Sequence, residues 1–131
     1  IQTLDINFVV NVDEALVVKI DEIKVGQVLF NFINNAINHV GDDNQVIINA
    51  YKRKGKVRIE VTDHGTGILP DELIHIWDRY YRIDKHFSRN QQGTGLGLSI
   101  AKSICIAHNL RFGVDSIMGQ GSTFYFDCEE E

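Results

Sequence analysis

Apolar positions follow a strand-like pattern near the start of the chain and then change to a helical period. Residues 3–10 and 15–20 are typical of strands. Residues 22–40 place apolar side chains at the i, i+3, i+4, i+7 spacing, which predicts a helix with one buried face; these are Val25, Val28, Leu29, Phe32, Ile33, Ala36 and Val40. Asp21 suits the N-cap of this helix and Gly41 its C-terminal stop.

The rest of the chain predicts a hairpin, two more helices and two closing strands. "QVIINAYKR" and "KVRIEVTD" alternate on either side of Lys54-Gly55, which favours an antiparallel hairpin. Pro70 opens a short helix to about Trp77, and residues 96–108 form a second long helix that is apolar on most sides and therefore mostly buried. The closing strands lie near 111–117 and 122–128.

This order of elements predicts a two-layer α/β sandwich, with a mixed, mostly antiparallel sheet of about five strands covered by about three helices. We expect a single domain over residues 1–131. The polar stretch 82–95 has no apolar period, and loops of that length are usually functional, for example as lids.

Composition and charge narrow the possible functions. The net charge of −5 argues against nucleic-acid binding as the main function, since that needs a basic surface. No apolar stretch reaches the length of a membrane span, and no secretory signal opens the chain, which starts inside a strand-like segment and is expected to be a fragment of a longer protein. Cys105 and Cys128 show no paired or metal-type spacing, so we expect reduced thiols in a cytosolic protein.

Four asparagines on the first long helix are the first candidate for chemistry. Asparagine is a poor helix former, yet Asn31, Asn34, Asn35 and Asn38 fall within eight residues. Three of them, at 31, 35 and 38, share one narrow stripe beside the apolar face. Their amide oxygens suit Mg²⁺ that is already held by phosphates, although an ordinary solvated face is the alternative.

The segment "DHGTGI" follows directly after a predicted strand. Asp63 accepts hydrogen bonds without donating any, so it suits the exocyclic amine of adenine and would repel the carbonyl that guanine carries there. Gly65 and Gly67 let the backbone approach a flat ligand closely. Turn chemistry alone would also explain these residues.

The segment "IWDRYYR" combines three aromatic residues with Arg79 and Arg82. One interpretation is an aromatic anchor for the base of a loop, with solvated arginines. The other is the hinge of a lid, with an arginine that reaches a γ-phosphate. The two interpretations are compatible.

The glycines of "QQGTGLGLSI" precede a helix. Leu98 stands where a dinucleotide fingerprint needs its third glycine, and a P-loop lysine is missing, so neither motif applies. A glycine-rich helix start still attracts anions through its unpaired N–H groups. Further on, "MGQGSTF" puts Thr123 on a late strand, where it could face Asp63.

In this order, "NFINNA", "DHGTGI", "IWDRYYR", "GTGLGL" and "GQGSTF" resemble the catalytic ATP-binding domain of sensor histidine kinases. These kinases share a superfamily with gyrase-type ATPases, heat-shock chaperones and mismatch-repair ATPases. The resemblance covers nearly the whole chain. It implies the Bergerat fold with a long ATP lid, and the cofactors ATP and Mg²⁺.

By similarity, Asn35 is the Mg²⁺ ligand, Asp63 recognises the adenine amine, and Thr123 lies near the adenine. Asn31, Arg79 and Arg82 take the catalytic roles. Trp77, Tyr80 and Tyr81 match the aromatic box, and Gly119 and Gly121 the last glycine box. The full nucleotide-binding set implied by the resemblance is Asn31, Asn35, Asn38, His39, Asp63, Gly65, Gly67, Ile68, Tyr81, Arg82, Gly93, Thr94, Gly95, Leu96, Gly97, Leu98 and Thr123.

Two positions bear on activity. Hydrolysing members of the superfamily carry a glutamate one turn before the metal-binding asparagine, whereas Asn31 cannot accept a proton at neutral pH. The resemblance therefore favours a kinase that holds ATP for transfer. Asn38 replaces a lysine that usually meets phosphate; Arg79, Arg82, Lys85 and Arg89 are available to compensate.

The resemblance implies that the γ-phosphoryl is presented to a histidine on the protein's own upstream dimerisation domain, with a response regulator further downstream. None of the five histidines (39, 64, 75, 86 and 108) has the context of a phosphoacceptor. We expect a monomeric fragment in the cytoplasmic part of a membrane-anchored sensor, without contact to nucleic acid or membrane. The alternatives are an anti-sigma-factor-type serine kinase and, because of Asn38, a degenerate nucleotide-binding scaffold.

Overall fold

Six strands and three helices make up the part of the chain that the structure, a computed structural model, describes: residues 5–13, 16, 18–81 and 96–130. The strands are β1 (Asn7–Val12), β2 (Val18–Lys19), β3 (Gln45–Arg53), β4 (Lys56–Asp63), β5 (Arg111–Ile117) and β6 (Gly121–Glu130). The helices are α1 (Glu22–Asn38), α2 (Pro70–Leu73) and α3 (Gly97–Ala107).

All six strands join one sheet, in which β6 holds a central place. It pairs antiparallel with β4 along one edge, and with β5 and the two-residue β2 along the other. The hairpin of β3 and β4 extends the sheet, and β1 adds to β3 in parallel. The prediction of a mixed, mostly antiparallel sheet is confirmed, and the short β2 accounts for the strand beyond the expected five.

Helix α1 begins as predicted. The Asp21 carboxylate accepts hydrogen bonds from the backbone N–H groups of Ile23 and Lys24, at 3.1 and 3.0 Å, and so caps the first turn. The side chains buried against the sheet are Val25, Val28, Phe32 and Ala36. The helix ends at Asn38, before Gly41. Gly41 has another reason to be glycine, because a Cβ there would collide with the carbonyl oxygen of His64.

Aromatic rings fill the core between the helices and the sheet. Phe32 on α1 lies 5.4 Å from Phe124 and 6.0 Å from Phe126, measured between ring centroids. Trp77 joins this cluster, at 5.0 Å from Phe112 and 5.7 Å from Phe124. The indole therefore anchors the segment that follows α2, as the aromatic-anchor interpretation predicts.

Several predicted bounds need correction. The first strand was predicted over 3–10, of which residues 3 and 4 lie outside the described residues. It begins at Asn7 and continues to Val12, because it pairs in register with β3 from Asn7↔Gln45 to Val12↔Ala50. The second strand is described as Val18–Lys19, and residues 15 and 17 of its predicted range lie outside the described residues. Helix α2 stops at Leu73 instead of continuing to about Trp77.

The prediction that the second long helix is mostly buried is wrong. Helix α3 buries Ala101, Ile104 and Cys105 on one side, whereas Ile106 is 58% exposed and Ile100 is 37% exposed. An apolar composition on most sides therefore did not mean that every side is covered.

The sheet face away from the helices carries a buried ion pair. Arg58 donates two hydrogen bonds to the Asp127 carboxylate, at 2.8 and 3.0 Å, and thereby joins β4 to β6. Its guanidinium also lies 3.9 Å from the centroid of the Tyr125 ring. Among the described helices, none combines the length and the apolar character needed to span a membrane.

Candidate functional site

The carboxyl group of Asp63 lies at the end of β4 and is the central feature of the candidate site. Its residue is 2% exposed, and its Oδ1 accepts a hydrogen bond of 2.9 Å from the backbone N–H of Gly65. Burial raises the pKa of Asp63 to about 6, although the Gly65 N–H and the neighbouring His39 and His64 oppose the shift. The group is therefore an ionised acceptor at neutral pH, inside a site that excludes most water.

A cleft of about 220 Å³, including space open to solvent, begins at Asp63. Helix α1 and the residue after it contribute Asn35 and His39, and β6 contributes Ser122. The loop after β4 supplies the remaining lining residues, which are Thr66, Gly67 and Ile68. At the rim, Nδ1 of His64 lies 2.6 Å from Asp43, and this hydrogen bond lowers the pKa of the Asp43 carboxyl.

Two buried polar atoms, one on α1 and one at its C-cap, have no hydrogen-bond partner among the described residues: Nδ2 of Asn31 and Nε2 of His39. Nδ1 of His39 lies 2.8 Å from the carbonyl oxygen of Asn35 and donates to it, which leaves Nε2 on the other side of the ring without a partner. A buried polar atom without a partner is costly, and a polar ligand can supply the partner. Two buried polar atoms therefore remain to be satisfied, as binding of a polar ligand would allow.

The structure brings together five of the residues that the resemblance assigns to the nucleotide: Asn35, His39, Asp63, Gly67 and Ile68. Asn31 and Asn38 lie on the same helix, with Asn38 as its last residue. Leu96, Gly97 and Leu98 form the start of α3. Arg82, Gly93, Thr94 and Gly95 fall outside the described residues.

Three other predicted residues do not line the cleft. The space where a Gly65 side chain would stand is filled by the backbone carbonyl of His39, so this glycine lets two loops of the protein meet. The Tyr81 hydroxyl donates to Glu72 at 2.7 Å, and its ring packs against the core. Arg79 is exposed on the segment after α2.

The prediction that Thr123 faces Asp63 is wrong. In the register of β4 and β6, Asp63 pairs with Ser122, and Thr123 pairs with Thr62. The two threonine hydroxyls lie 2.8 Å apart on the other face of the sheet. Ser122, which the prediction missed, is buried in the cleft beside Asp63. The alternation with buried Phe124 and Phe126 could have identified it, because residues two apart share a face.

A mixed sheet covered by helices, with a buried carboxylate and asparagines at one cleft, defines a nucleotide-binding α/β sandwich. The family can be stated as well: the chain belongs to the Histidine kinase-, DNA gyrase B-, and HSP90-like ATPases, whose sequence profile matches residues 20–131.

Named relatives agree with this family. The signal transduction histidine-protein kinase ArlS of Staphylococcus haemolyticus is 40% identical over 111 residues, which cover 85% of this chain and 24% of ArlS. The sensor histidine kinase WalK of Bacillus subtilis is 40% identical over 116 residues, which cover 87% of this chain and 19% of WalK. The chain thus spans about a fifth to a quarter of the length of these curated relatives.

Solved structures confirm the fold. The mycobacterial sensor histidine kinase MprB superimposes with a TM-score of 0.80 at 26% identity, over 97% of this chain and 83% of that one. Full-length ShkA, solved in complex with AMPPNP, gives a TM-score of 0.79 at 28% identity, over 96% of this chain and 26% of ShkA. The chain is therefore an ATP-binding domain of the histidine kinase type, as its motifs predicted.

Proposed function

We propose that this domain binds Mg²⁺-ATP and positions the γ-phosphoryl group for transfer to a histidine on the dimerisation domain of a sensor kinase. The buried Asp63 carboxylate, beside Asn35 and His39 in one cleft, is the observation that carries the proposal. Membership of the histidine kinase-like ATPases supports it, as do relatives that are named as sensor histidine kinases. A response regulator would take the phosphoryl group from that histidine.

Recognition of the base would depend on Asp63. An ionised carboxylate accepts a hydrogen bond from the exocyclic amine of adenine, and its burial removes the competition of water. Guanine presents a carbonyl oxygen at the same position, which a carboxylate repels. The hydroxyl of Ser122 lies on the same wall of the cleft and would complete the recognition of the purine.

Asn35 would hold Mg²⁺ through its carboxamide oxygen. The described residues contain no group of three or more His, Cys, Asp and Glu side chains that could bind a metal. A hard cation at this cleft would instead combine the neutral oxygen of Asn35 with phosphate oxygens. When bound, the ion would neutralise charge on the triphosphate. The unpartnered Nδ2 of Asn31 is a donor for a phosphate oxygen or a water on the same side of α1.

Phosphoryl transfer would rely on position and charge more than on proton abstraction by this chain. Asn31 stands where a hydrolase of the superfamily carries its glutamate, and a carboxamide cannot act as a base. The nucleophile would come from the dimerisation domain, so the isolated chain should turn over ATP very slowly. Phosphate contacts from Arg79, Arg82 and the glycines at 93, 95 and 97 stay predictions.

Calorimetric titration with AMP-PNP, with and without Mg²⁺, tests the binding step. Asp63→Asn should weaken binding by about 10- to 100-fold, because it removes a buried charge-assisted hydrogen bond. Asp115→Asn, a change of an exposed carboxylate on β5, is the matched control and should bind like the wild type. A folded wild-type chain that binds no nucleotide would contradict the proposal and favour the degenerate scaffold.

Incubation with labelled ATP and the dimerisation domain of a relative tests the transfer step. We expect an acid-labile phosphohistidine on that domain and little release of inorganic phosphate by the chain alone. Fast release by the chain alone would contradict the assignment of Asn31. An acid-stable phosphoserine on a partner protein would instead identify the serine kinase alternative.

A further inference from the structure

The hydroxyl group of Ser116, on β5, joins three segments around the base of the cleft. It accepts a hydrogen bond of 2.8 Å from the backbone N–H of Ile68, in the loop after Asp63. It also lies 3.1 Å from the carbonyl oxygen of Gly121 and 2.9 Å from the hydroxyl of Ser122. None of the nucleotide-binding motifs includes this residue, and Ser116 does not line the cleft.

Counting protons gives the direction of these bonds. A serine hydroxyl has one proton to donate and two lone pairs to accept with. All three contacts are made at once when Ser116 donates to Gly121 and accepts from both Ile68 and Ser122. In that arrangement the Ser122 proton points toward Ser116. The lone pairs of Ser122 then remain available on the side of the cleft, next to the Asp63 carboxylate.

We propose that Ser116 is a positioning residue for base specificity: it holds the Ser122 hydroxyl as an acceptor, so that the cleft selects a 6-amino purine over a 6-oxo purine. The proposal rests on the proposed function, because it concerns the same nucleotide site. Ser116 acts through Ser122 and does not touch the base itself.

The physical reason is the number of acceptors that face the base. With Ser122 fixed, the wall presents two acceptors, the Asp63 carboxylate and the Ser122 oxygen. These match the N–H groups of an adenine amine, directly or through a water, and they oppose a carbonyl oxygen at position 6. Without the Ser116 hydroxyl, the Ser122 proton can rotate into the cleft and donate to that carbonyl. Discrimination between the two bases should then fall.

The same two strands provide a matched control. Thr62 and Thr123 form a second hydroxyl pair, at 2.8 Å, one register position away from Asp63 and Ser122. This pair lies on the opposite face of the sheet, so removing it loses a comparable hydrogen bond without changing the cleft. Thr62→Val therefore separates a general effect on β4 and β6 from an effect on the base.

The test compares the binding of ADP and IDP, which carry the same phosphates and differ only in the base. Calorimetry gives the ratio of their dissociation constants, IDP over ADP, for each folded variant. Ser116→Ala should lower this ratio by about tenfold relative to the wild type, and so should Ser116→Cys, which fills the site with a slightly larger thiol that is only a weak acceptor. Thr62→Val should leave the ratio unchanged. In a Ser122→Ala background, Ser116→Cys should have no further effect on the ratio.

The proposal would be overturned if the Ser116 variants bound ADP and IDP equally more weakly, so that the ratio stayed unchanged. Ser116 would then have only a structural role. A further fall of the ratio in the Ser122→Ala background would also overturn it, because Ser116 would then act without Ser122. Failure of the proposed function looks different: the wild-type chain itself would bind neither nucleotide. Thermal unfolding of each variant shows whether it is folded. If Ser116→Ala does not fold, the ratio measured for Ser116→Cys decides the test.

Discussion

Asp63, which we propose binds the adenine amine, also lowers the stability of the free domain at neutral pH. Burial raises its pKa from 3.8 to about 6, so ionising this carboxyl is harder in the folded chain than in the unfolded chain. A raised pKa means that the contribution of Asp63 to stability is fully present below about pH 4 and is lost as the pH rises through 6. At neutral pH the folded domain therefore holds a charge that destabilises it until a ligand donates a hydrogen bond.

Asp63→Asn should consequently stabilise the free domain at pH 7.5, by roughly 2–3 kcal/mol. The amide oxygen can still accept from the Gly65 N–H, and the buried charge is removed. Urea unfolding between pH 4 and 8 measures the effect, which should shrink below pH 6 and vanish near pH 4. Asp115→Asn should show no such pH dependence. A loss of stability at every pH would mean that the cost of the buried charge is compensated in the free protein.

At the scale of residues, the sequence predicted which residues line the cleft better than it predicted the orientation of each side chain. Asp63 was predictable, because an acidic residue directly before "HGTGI" at a strand end combines an acceptor with flexible backbone. The prediction for Thr123 was wrong because the face on which a strand residue lies depends on its position relative to the buried residues. Ser122, and not Thr123, shares a face with the buried Phe124 and Phe126. Ser116 could not be found, since its role depends on contacts with residues 68, 121 and 122.

At the scale of elements, Gly26 and Gly65 differ in whether the structure needs a residue without a side chain. Gly26 lies inside α1 and is exposed, and an added Cβ would have no neighbour within 4 Å among the described residues. Gly65 lies where the loop after β4 meets the end of α1, and an added Cβ would collide with the His39 carbonyl. The first glycine weakens a helix without any evident packing need, whereas the second permits the contact that shapes the cleft.

Gly26→Ala should therefore raise the free energy of unfolding by about 0.5–1 kcal/mol, through better helix propensity. Gly65→Ala should lower it and also weaken nucleotide binding, because the two loops must separate. Urea unfolding and AMP-PNP titration of both variants check this pair, in which each variant is the control for the other. A stabilising Gly65→Ala would show that the loops adapt without cost.

The elements themselves were predictable where their signals are local. Periodicity and the Asp21 cap located α1, and alternation around Lys54-Gly55 located the hairpin, whose strands pair from Val46↔Asp63 to Arg53↔Lys56. The bounds of β1 were not predictable, because its partner β3 lies far along the chain. The exposure of Ile106 was also missed, since composition does not show which sides of a helix have neighbours.

The whole molecule should report nucleotide binding as a gain in thermal stability. A ligand that binds only the folded state at about 100 times its dissociation constant adds roughly 2.7 kcal/mol, which corresponds to a rise in Tm of about 10 °C for a domain of this size. Differential scanning fluorimetry with Mg²⁺ and AMP-PNP measures this rise. Asp63→Asn should start from a higher Tm and gain little from the ligand. An equal gain in both proteins would place the nucleotide elsewhere.

The position of β6 has a consequence for the synthesis of the chain. This strand pairs with β4, β5 and β2, yet it follows all of them in sequence. Until residues 121–130 have emerged from the ribosome, the chain therefore exposes the unpaired edges of β4 and β5, together with the apolar face that Phe124 and Phe126 later cover. Unpaired strand edges of this kind can pair with strands of other chains. The domain thus depends on the ribosome completing residues 121–130 before its sheet can close, and this delay exposes it to misfolding during translation.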